Sequence, residues 1–360
     1  MKIFGINTLF AVGLTLAGVV FTPSLRADVS LLVSGGNASS SVLFDRATNL
    51  FGGTFTAAYG TSSSTIRTYQ GTIPGQSGLG TVTLYFNLSG AVGGLLDISA
   101  GNPEPTAPGS PVSSFIPTLV DSSASPEASG VDASQFASTT LPTYVVPYVF
   151  IKNSSSLDTA GITNLTQRQA ALLESAGATI PTTFFGGNST NVVYFVGRNK
   201  DSAVRTEVDL GIYASGFQTY TTNGSGQIVQ DTTSVDLEGN VDPGQTSGST
   251  LATLIKTAIT NGIGTVAVQN ITSGTTALAY EGVAYSTNNV QNGSYPLWGY
   301  EKYYYLPSVS ANQLTVINLL YQSVTNASFQ SSNPTFVNKF IPLSALQVTR
   351  SVDGGPISLK

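Results

Sequence analysis

An α/β fold in two lobes, each a mainly parallel sheet flanked by helices, is what this sequence predicts. Short β-branched or aromatic runs alternate with stretches that carry helical apolar spacing, and no fixed-period repeat interrupts them. At 360 residues the chain is long enough for two lobes with ample core. Apart from its first two dozen residues, no segment is long and apolar enough to cross a membrane.

The elements follow in order. Residues 1–27 read as a secretory leader: Lys2, an apolar run over 3–21, Pro23, and a small-residue exit with cleavage after Ala27. The alternative is an N-terminal membrane anchor, because the run is about long enough to span a bilayer. LLVSG (31–35) is a short strand. GGNASSS then turns the chain into VLFDRATNLF, whose spacing suits a helix. TVTLYFNLSG (81–90) reads as a buried strand, followed by the Gly-rich GAVGGLLDIS. Residues 101–118, proline-rich and aperiodic, read as a surface loop. YVVPYVFIKN (144–153) is a strand in which Pro147 argues for an edge or an irregular position. LTQRQAALLESAG (165–177) is the clearest helix, with Thr166 as N-cap, Gln169 three residues on, and Gly177 at its end. Residues 216–250 are polar and turn-rich. LATLIKTAITNG (251–262) and ANQLTVINLLYQSV (311–324) are helices, and GTVAVQNI (264–271) is a strand.

Composition removes several classes of function. There is no histidine, so Ser-His-Asp and Cys-His catalysis and His-based metal sites are excluded. There is no cysteine, so disulfides and a lipid-modified cysteine at the cleavage site are excluded. Without Lys2 and Arg26, 12 cations face 19 acids, a balance opposite to that of a nucleic-acid binder. A cysteine-free exported chain fits the bacterial periplasm or the medium. No carboxylate pair has the spacing of a general acid and base, so no catalytic residue, cofactor or metal is expected.

Three constellations merit chemistry. In VVYFVGRNKDSAVRTEV (192–208) an apolar run stops at Gly197, and Arg198 precedes Ser202 by four residues at a strand-to-helix turn. Such a turn offers free N–H groups and a positive dipole end to an anion. The competing reading makes Asp201 or Ser202 a plain N-cap and Arg198 a solvated residue. DLEGNVD (236–242) places Asp236, Glu238, Asn240 and Asp242 at every second position, as a calcium loop begins. Val241 and Ser247 stand where such a loop needs glycine and glutamate, which favours a solvated turn. The aromatic group Tyr295, Trp298, Tyr300, Tyr303, Tyr304 and Tyr305 reads as core and hinge packing ahead of a stacking platform.

In their order along the chain, SGGNASSS (34–41), SGAVGG (89–94), VDSSASP (120–126), LPTYVVPYVFIKN (141–153), NLTQRQAALLESAG (164–177), RNKDSAV (198–204) and ALAYEGVAYS (277–286) resemble a known family. It is that of the phosphate-type substrate-binding proteins of bacterial ABC importers, within the type 2 periplasmic-binding-protein superfamily. The resemblance runs over roughly 30–350. It implies two lobes, 28–153 with 284–360 and 154–283, joined by a two-strand hinge. It implies a small anion or polar solute in the cleft, a membrane permease as partner, and a monomer. Ser39 or Ser40 would supply the first hydroxyl, Ser125 the second loop contact, and Arg198 a clamp beside the N–H groups of Ser202 and Ala203.

The chain departs from the family pattern at Ala91, Pro126 and Val204, where the family carries serine, aspartate and threonine. Each hydrogen bond lost to a charged ligand costs about 1.5–3 kcal/mol, so three lower affinity by roughly 10³–10⁶-fold. That leaves the ligand open. A second reading follows from it: the same fold with an eroded pocket, serving as a structural, surface or sensing protein.

Overall fold

The computed structural model describes residues 27–63, 65–138, 140–236 and 239–360. Apart from Ala27, the expected leader lies outside them. The strands that matter here are β1 (Ala27–Gly35), β2 (Ala57–Tyr59), β3 (Ile66–Gly71), β4 (Leu79–Asn87), β5 (Leu119–Ser122), β6 (Leu141–Asn153), β7 (Tyr194–Val196), β8 (Gly262–Ala267), β9 (Thr275–Ala277), β10 (Trp298–Tyr304) and β11 (Ile341–Pro342). They form one large mixed sheet in the order β7-β8-β6-β10-β5-β1-β4-β3-β2, with β9 and β11 also paired to β6.

The parallel core lies at β4-β1-β5. Leu31, Leu32 and Val33 of β1 are all fully buried. Burial on both faces explains why β1 and β4 read as near-continuous apolar runs. The remaining pairings are antiparallel except β7 with β8. The sheet is therefore mixed as a whole, because β6 and β10 run against their neighbours.

Strand β6 links the two halves of the sheet. Its first half pairs with β10, from Leu141 opposite Tyr303 to Pro147 opposite Trp298. Its second half pairs with β8, from Tyr148 opposite Ala267 to Lys152 opposite Ile263. Pro147 sits at the point where the partner changes. A proline has no N–H to donate, so it is tolerated where one ladder ends and the next begins. The strand is central; the proline marks an irregular point within it, not an edge.

The longer helices are α1 (Ser40–Leu50), α2 (Ala91–Ala100), α3 (Gln167–Ala176), α4 (Ala203–Ile212), α5 (Gly248–Thr257) and α6 (Ala311–Val324). Thr166 and Gln169 form the expected capping box on α3, and Gly177 closes it with φ 60°. Helix α5 starts three residues before the sequence expectation, because Ser247 caps it through the Thr250 N–H. The Gly-rich segment after β4 is helix α2. It lies so close on β1 that a Cβ at Gly94 would stand 2.2 Å from Ser34 Oγ. Glycine lowers helix propensity but lets the helix approach the strand. The aromatic group is core: Tyr295, Trp298, Tyr303, Tyr304 and Tyr305 are all buried.

Candidate anion site between the sheet halves

Strand β7 ends at Val196, and the next residues leave the sheet toward α4. Arg198 is only 6% exposed, so it is not a solvated cation. Its Nε donates to Gln245 O at 2.9 Å and its Nη2 to Thr246 O at 3.0 Å. Gly244 makes that approach feasible. At φ 126° it lies under Arg198, where a Cβ would stand 2.4 Å from the arginine carbonyl carbon. Asp201, fully buried, attracts the guanidinium, yet burial dominates and holds Arg198 down at about 10. Two of its five N–H donors are committed to carbonyls, which leaves the rest of the fork for another acceptor.

Ser202 is the N-cap of α4, its Oγ accepting the Arg205 N–H at 3.4 Å. The competing reading thus holds for Ser202, which is an N-cap, and fails for Arg198, which is buried and not solvated. Arg198, Ser202, Ala203 and Val204 line one cavity together with Gly36, Asn37, Ala38, Gly90, Ala91, Ser123 and Glu301. The chain reaches that cavity through the starts of two helices and the turn ahead of a third. Asn37 and Ala38 form the turn that runs into α1, Gly90 is the N-cap of α2, and Ser202 is the N-cap of α4. The first N–H groups of a helix have no partner inside it, and its dipole is positive there.

The cavity is small, about 20 Å³. That is room for a water and not for a tetrahedral oxyanion. An apolar cluster of Ala91, Val92, Ala124 and Ala203 closes it beside the helix starts. Glu301, 3% exposed on β10, turns a carboxyl group into the same wall. Burial, and then the nearby Asp121, push Glu301 well above the ordinary carboxylate range. Burial likewise raises Asp121 to about 7. A protonated Glu301 is a hydrogen-bond donor; an ionised one opposes an anion.

The other sequence candidates fall elsewhere. Ser39 is fully buried and its Oγ donates to Gly36 O at 3.0 Å, inside its own turn. Ser40 is the first residue of α1. Neither lines the cavity; their neighbours Gly36, Asn37 and Ala38 do. Ser125 also lies outside it. Its N–H donates to Asp353 Oδ2 at 2.6 Å, and it lines a separate cavity of about 610 Å³. The reason is local: the β5 loop reaches the small cavity with Ser123, and the chain has turned away two residues later. Sequence reasoning missed Glu301, Ser123 and Asn37. Glu301 sits in an aromatic run with no motif around it, so no sequence signal marks it.

The acids of 236–242 bear on Lys200, in the turn between Arg198 and Ser202. Asp236 Oδ2 pairs with Lys200 Nζ at 2.6 Å, and Asp242 Oδ2 accepts the Lys200 N–H. Asp236 and Asp242 are buried, not solvated. Leu237 and Glu238 lie outside the described residues. Among the described residues no group of three acids is placed to hold a metal ion.

No protein-family model matches the sequence, and no curated protein sequence matches it either. Solved structures do match. One, from Clostridium perfringens, is described as a phosphate ABC transporter substrate-binding protein with bound phosphate. It superposes with a TM-score of 0.54 at 14% identity, over 87% of this chain and 99% of that one. An ABC-type phosphate transport receptor from Vibrio cholerae gives a TM-score of 0.47 at 13% identity, over 81% of this chain and 93% of that one. A Synechocystis regulatory domain in complex with 2-PG gives 0.44 at 12% identity, over 84% and 99%. The chain thus has the fold of the type 2 periplasmic binding proteins, at low sequence identity.

Proposed function

We propose that this chain is an exported solute-binding protein whose lobes, 28–153 with 284–360 and 154–283, close over a small anion. The observation that carries the reading is the meeting of two helix starts, the turn ahead of α1 and a buried arginine on one cavity between the sheet halves. Backbone N–H groups and helix dipoles favour an anion there, and the free part of the Arg198 fork adds charge-assisted bonds. The phosphate in the Clostridium perfringens structure suggests a tetrahedral oxyanion as the first ligand to try. The cavity of about 20 Å³ would then belong to a closed state without ligand, and the lobes would part by hinge motion to admit one. A membrane permease is the partner this role implies, and the protein would act as a monomer in the periplasm or outside the cell. No residue is assigned covalent chemistry.

A second reading has its own observation. The apolar cluster of Ala91, Val92, Ala124 and Ala203 occupies the cleft where a ligand would need polar partners. That favours a sealed relative with a structural, surface or sensing role.

Calorimetric titration of residues 28–360 with phosphate, then sulfate and phosphonates, separates the two. Saturable heat that an Arg198→Lys substitution weakens supports the anion receptor. No heat with any of them, from a folded sample, overturns it in favour of the sealed relative.

A further inference from the structure

A hairpin far along the chain touches both halves of the molecule. Its strands are β12 (Val348–Arg350) and β13 (Ile357–Leu359), paired antiparallel. Its base is fixed where the chain returns to β10. The Arg350 guanidinium donates to Pro296 O at 2.6 Å and to Trp298 O, and it lies 4.4 Å over the Trp298 ring. The Gln347 N–H donates to Gln291 O at 2.9 Å.

The loop between these strands, residues 351–356, reaches in two directions. On the β5 side, Asp353 Oδ2 accepts the Ser125 N–H at 2.6 Å. Ser125 opens a turn in which Ser129 and Val131 bond back to Ser125 and Pro126, so its own N–H points out of the turn. On the other side, Gly354 lies against α4. At φ 62° its missing Cβ would stand 2.5 Å from Leu210 Cβ and 2.9 Å from Gly211 N. Ahead of these two contacts the loop is not packed down. It borders the cavity of about 610 Å³ that Ser125, Leu210, Lys302 and Val352 also line, and Val352 is 62% exposed.

We propose that the 351–356 loop is an intramolecular latch, in which Asp353 fills an anion-accepting turn at Ser125 while Gly354 seats on Leu210 and Gly211. By the proposed lobe bounds the loop and Ser125 belong to one lobe and Leu210 and Gly211 to the other, so the Asp353 bond holds the loop in place and parting the lobes must break the Gly354 contact. An N–H to carboxylate bond is about twice as strong as a neutral one, which gives the latch its hold. Gly354 gives it its fit, because a side chain at that left-handed position would collide with α4. The sequence expectation gives Ser125 a bound ligand; in the fold its N–H is taken by the protein's own carboxylate instead. The inference rests on the two-lobed reading and not on any anion ligand.

The Val92 amide reads the latch directly, because its N–H bonds to Asp201 O across the cleft. Hydrogen exchange would be followed at Val92 and at Leu32 in the core of β1, for the mature chain and for Asp353→Ala, Asp353→Asn and Gly354→Val. Exchange at Val92 should quicken roughly tenfold or more in Asp353→Ala and in Gly354→Val, with Leu32 unchanged. Asp353→Asn keeps an oxygen for Ser125 and should fall between. Unchanged exchange at Val92 in both Asp353→Ala and Gly354→Val overturns the latch. So does equal quickening at Val92 and Leu32, which would make the loop a plain contributor to global stability. A silent phosphate titration with quickened Val92 exchange would sink the anion reading and leave the latch standing.

Discussion

The Val92 N–H donates to the Asp201 carbonyl oxygen at 3.0 Å, so the first turn of α2 is bonded directly to the loop ahead of α4. Ala91, Val92, Ala124 and Ala203 pack around that bond. Hydrophobic burial needs no ligand, so this cluster favours closure of the empty protein. A carboxylate placed inside it must be hydrated, and hydration requires the halves to separate. Ala203→Glu is therefore expected to enlarge the radius of gyration in solution scattering while the far-ultraviolet circular dichroism stays the same. A folded variant with an unaltered radius would show that the cluster does not hold the closed form.

Arg198 has a structural job beside the binding role proposed for it, and a test of binding has to keep the two apart. Its guanidinium satisfies the Gln245 and Thr246 carbonyls and balances the buried Asp201. Arg198→Ala removes all three at once and is expected to cost about 3–5 kcal/mol of stability, as for a broken buried pair. Arg198→Lys retains the charge but not the fork, and should cost less than the alanine variant in a urea titration. Equal losses for alanine and lysine would mean that the fork geometry, and not the charge, holds this loop.

Buried carboxyl groups make stability depend on pH with an unusual sign. Asp121 titrates near 3.8 when unfolded and at about 7 in the fold, where burial is the main cause. Between those values the folded protein binds a proton that the unfolded chain lacks. Stability therefore falls as pH rises from about 4 to about 7, and this group adds no further change above that. Burial also raises Glu301 and Glu207, so the fall continues to higher pH. Tyr144 and Tyr303 face the same group and stay protonated throughout. Thermal midpoints should be higher at pH 5 than at pH 8, and Asp121→Asn should flatten the difference. A midpoint that rises with pH would contradict the assignment.

Elements with strong local signals were legible in the sequence. Thr166 and Gln169 announced α3, and the apolar run before Arg198 announced β7 and the turn beyond it. Helix α2 was not legible, because Gly93 and Gly94 are there for a close approach to Ser34 that only the fold creates. The run of β6 was legible through Pro147, but its place in the sheet was not, because the meaning of that proline depends on which strand lies beside it. The site divides in the same way. Arg198, Ser202 and Ala203 come from one continuous turn, so their grouping was readable. Glu301 and Asp353 arrive from more than 90 residues further along the chain, and no local pattern brings them to their partners.

The substitution Ala91→Ser probes which of the two functional readings holds. Ala91 is the first residue of α2 and lines the cavity with Arg198, while Gly90 before it provides no side-chain cap. A serine there adds a hydroxyl donor to the ring of helix starts. In the closed empty form that hydroxyl is buried among Val92, Ala124 and Ala203, at a cost of about 1–3 kcal/mol. With an oxyanion in the cleft it gains a charge-assisted bond of about 1.5–3 kcal/mol. Both effects act in one direction, against the sealed state and toward the bound one. Calorimetry should show phosphate or sulfate affinity rising by about tenfold or more over the parent chain. If the parent is silent and Ala91→Ser binds, the cleft is an anion site that lost a donor. If neither binds while both remain folded, the helix starts at this cavity are only structural, and the sealed relative is the better description.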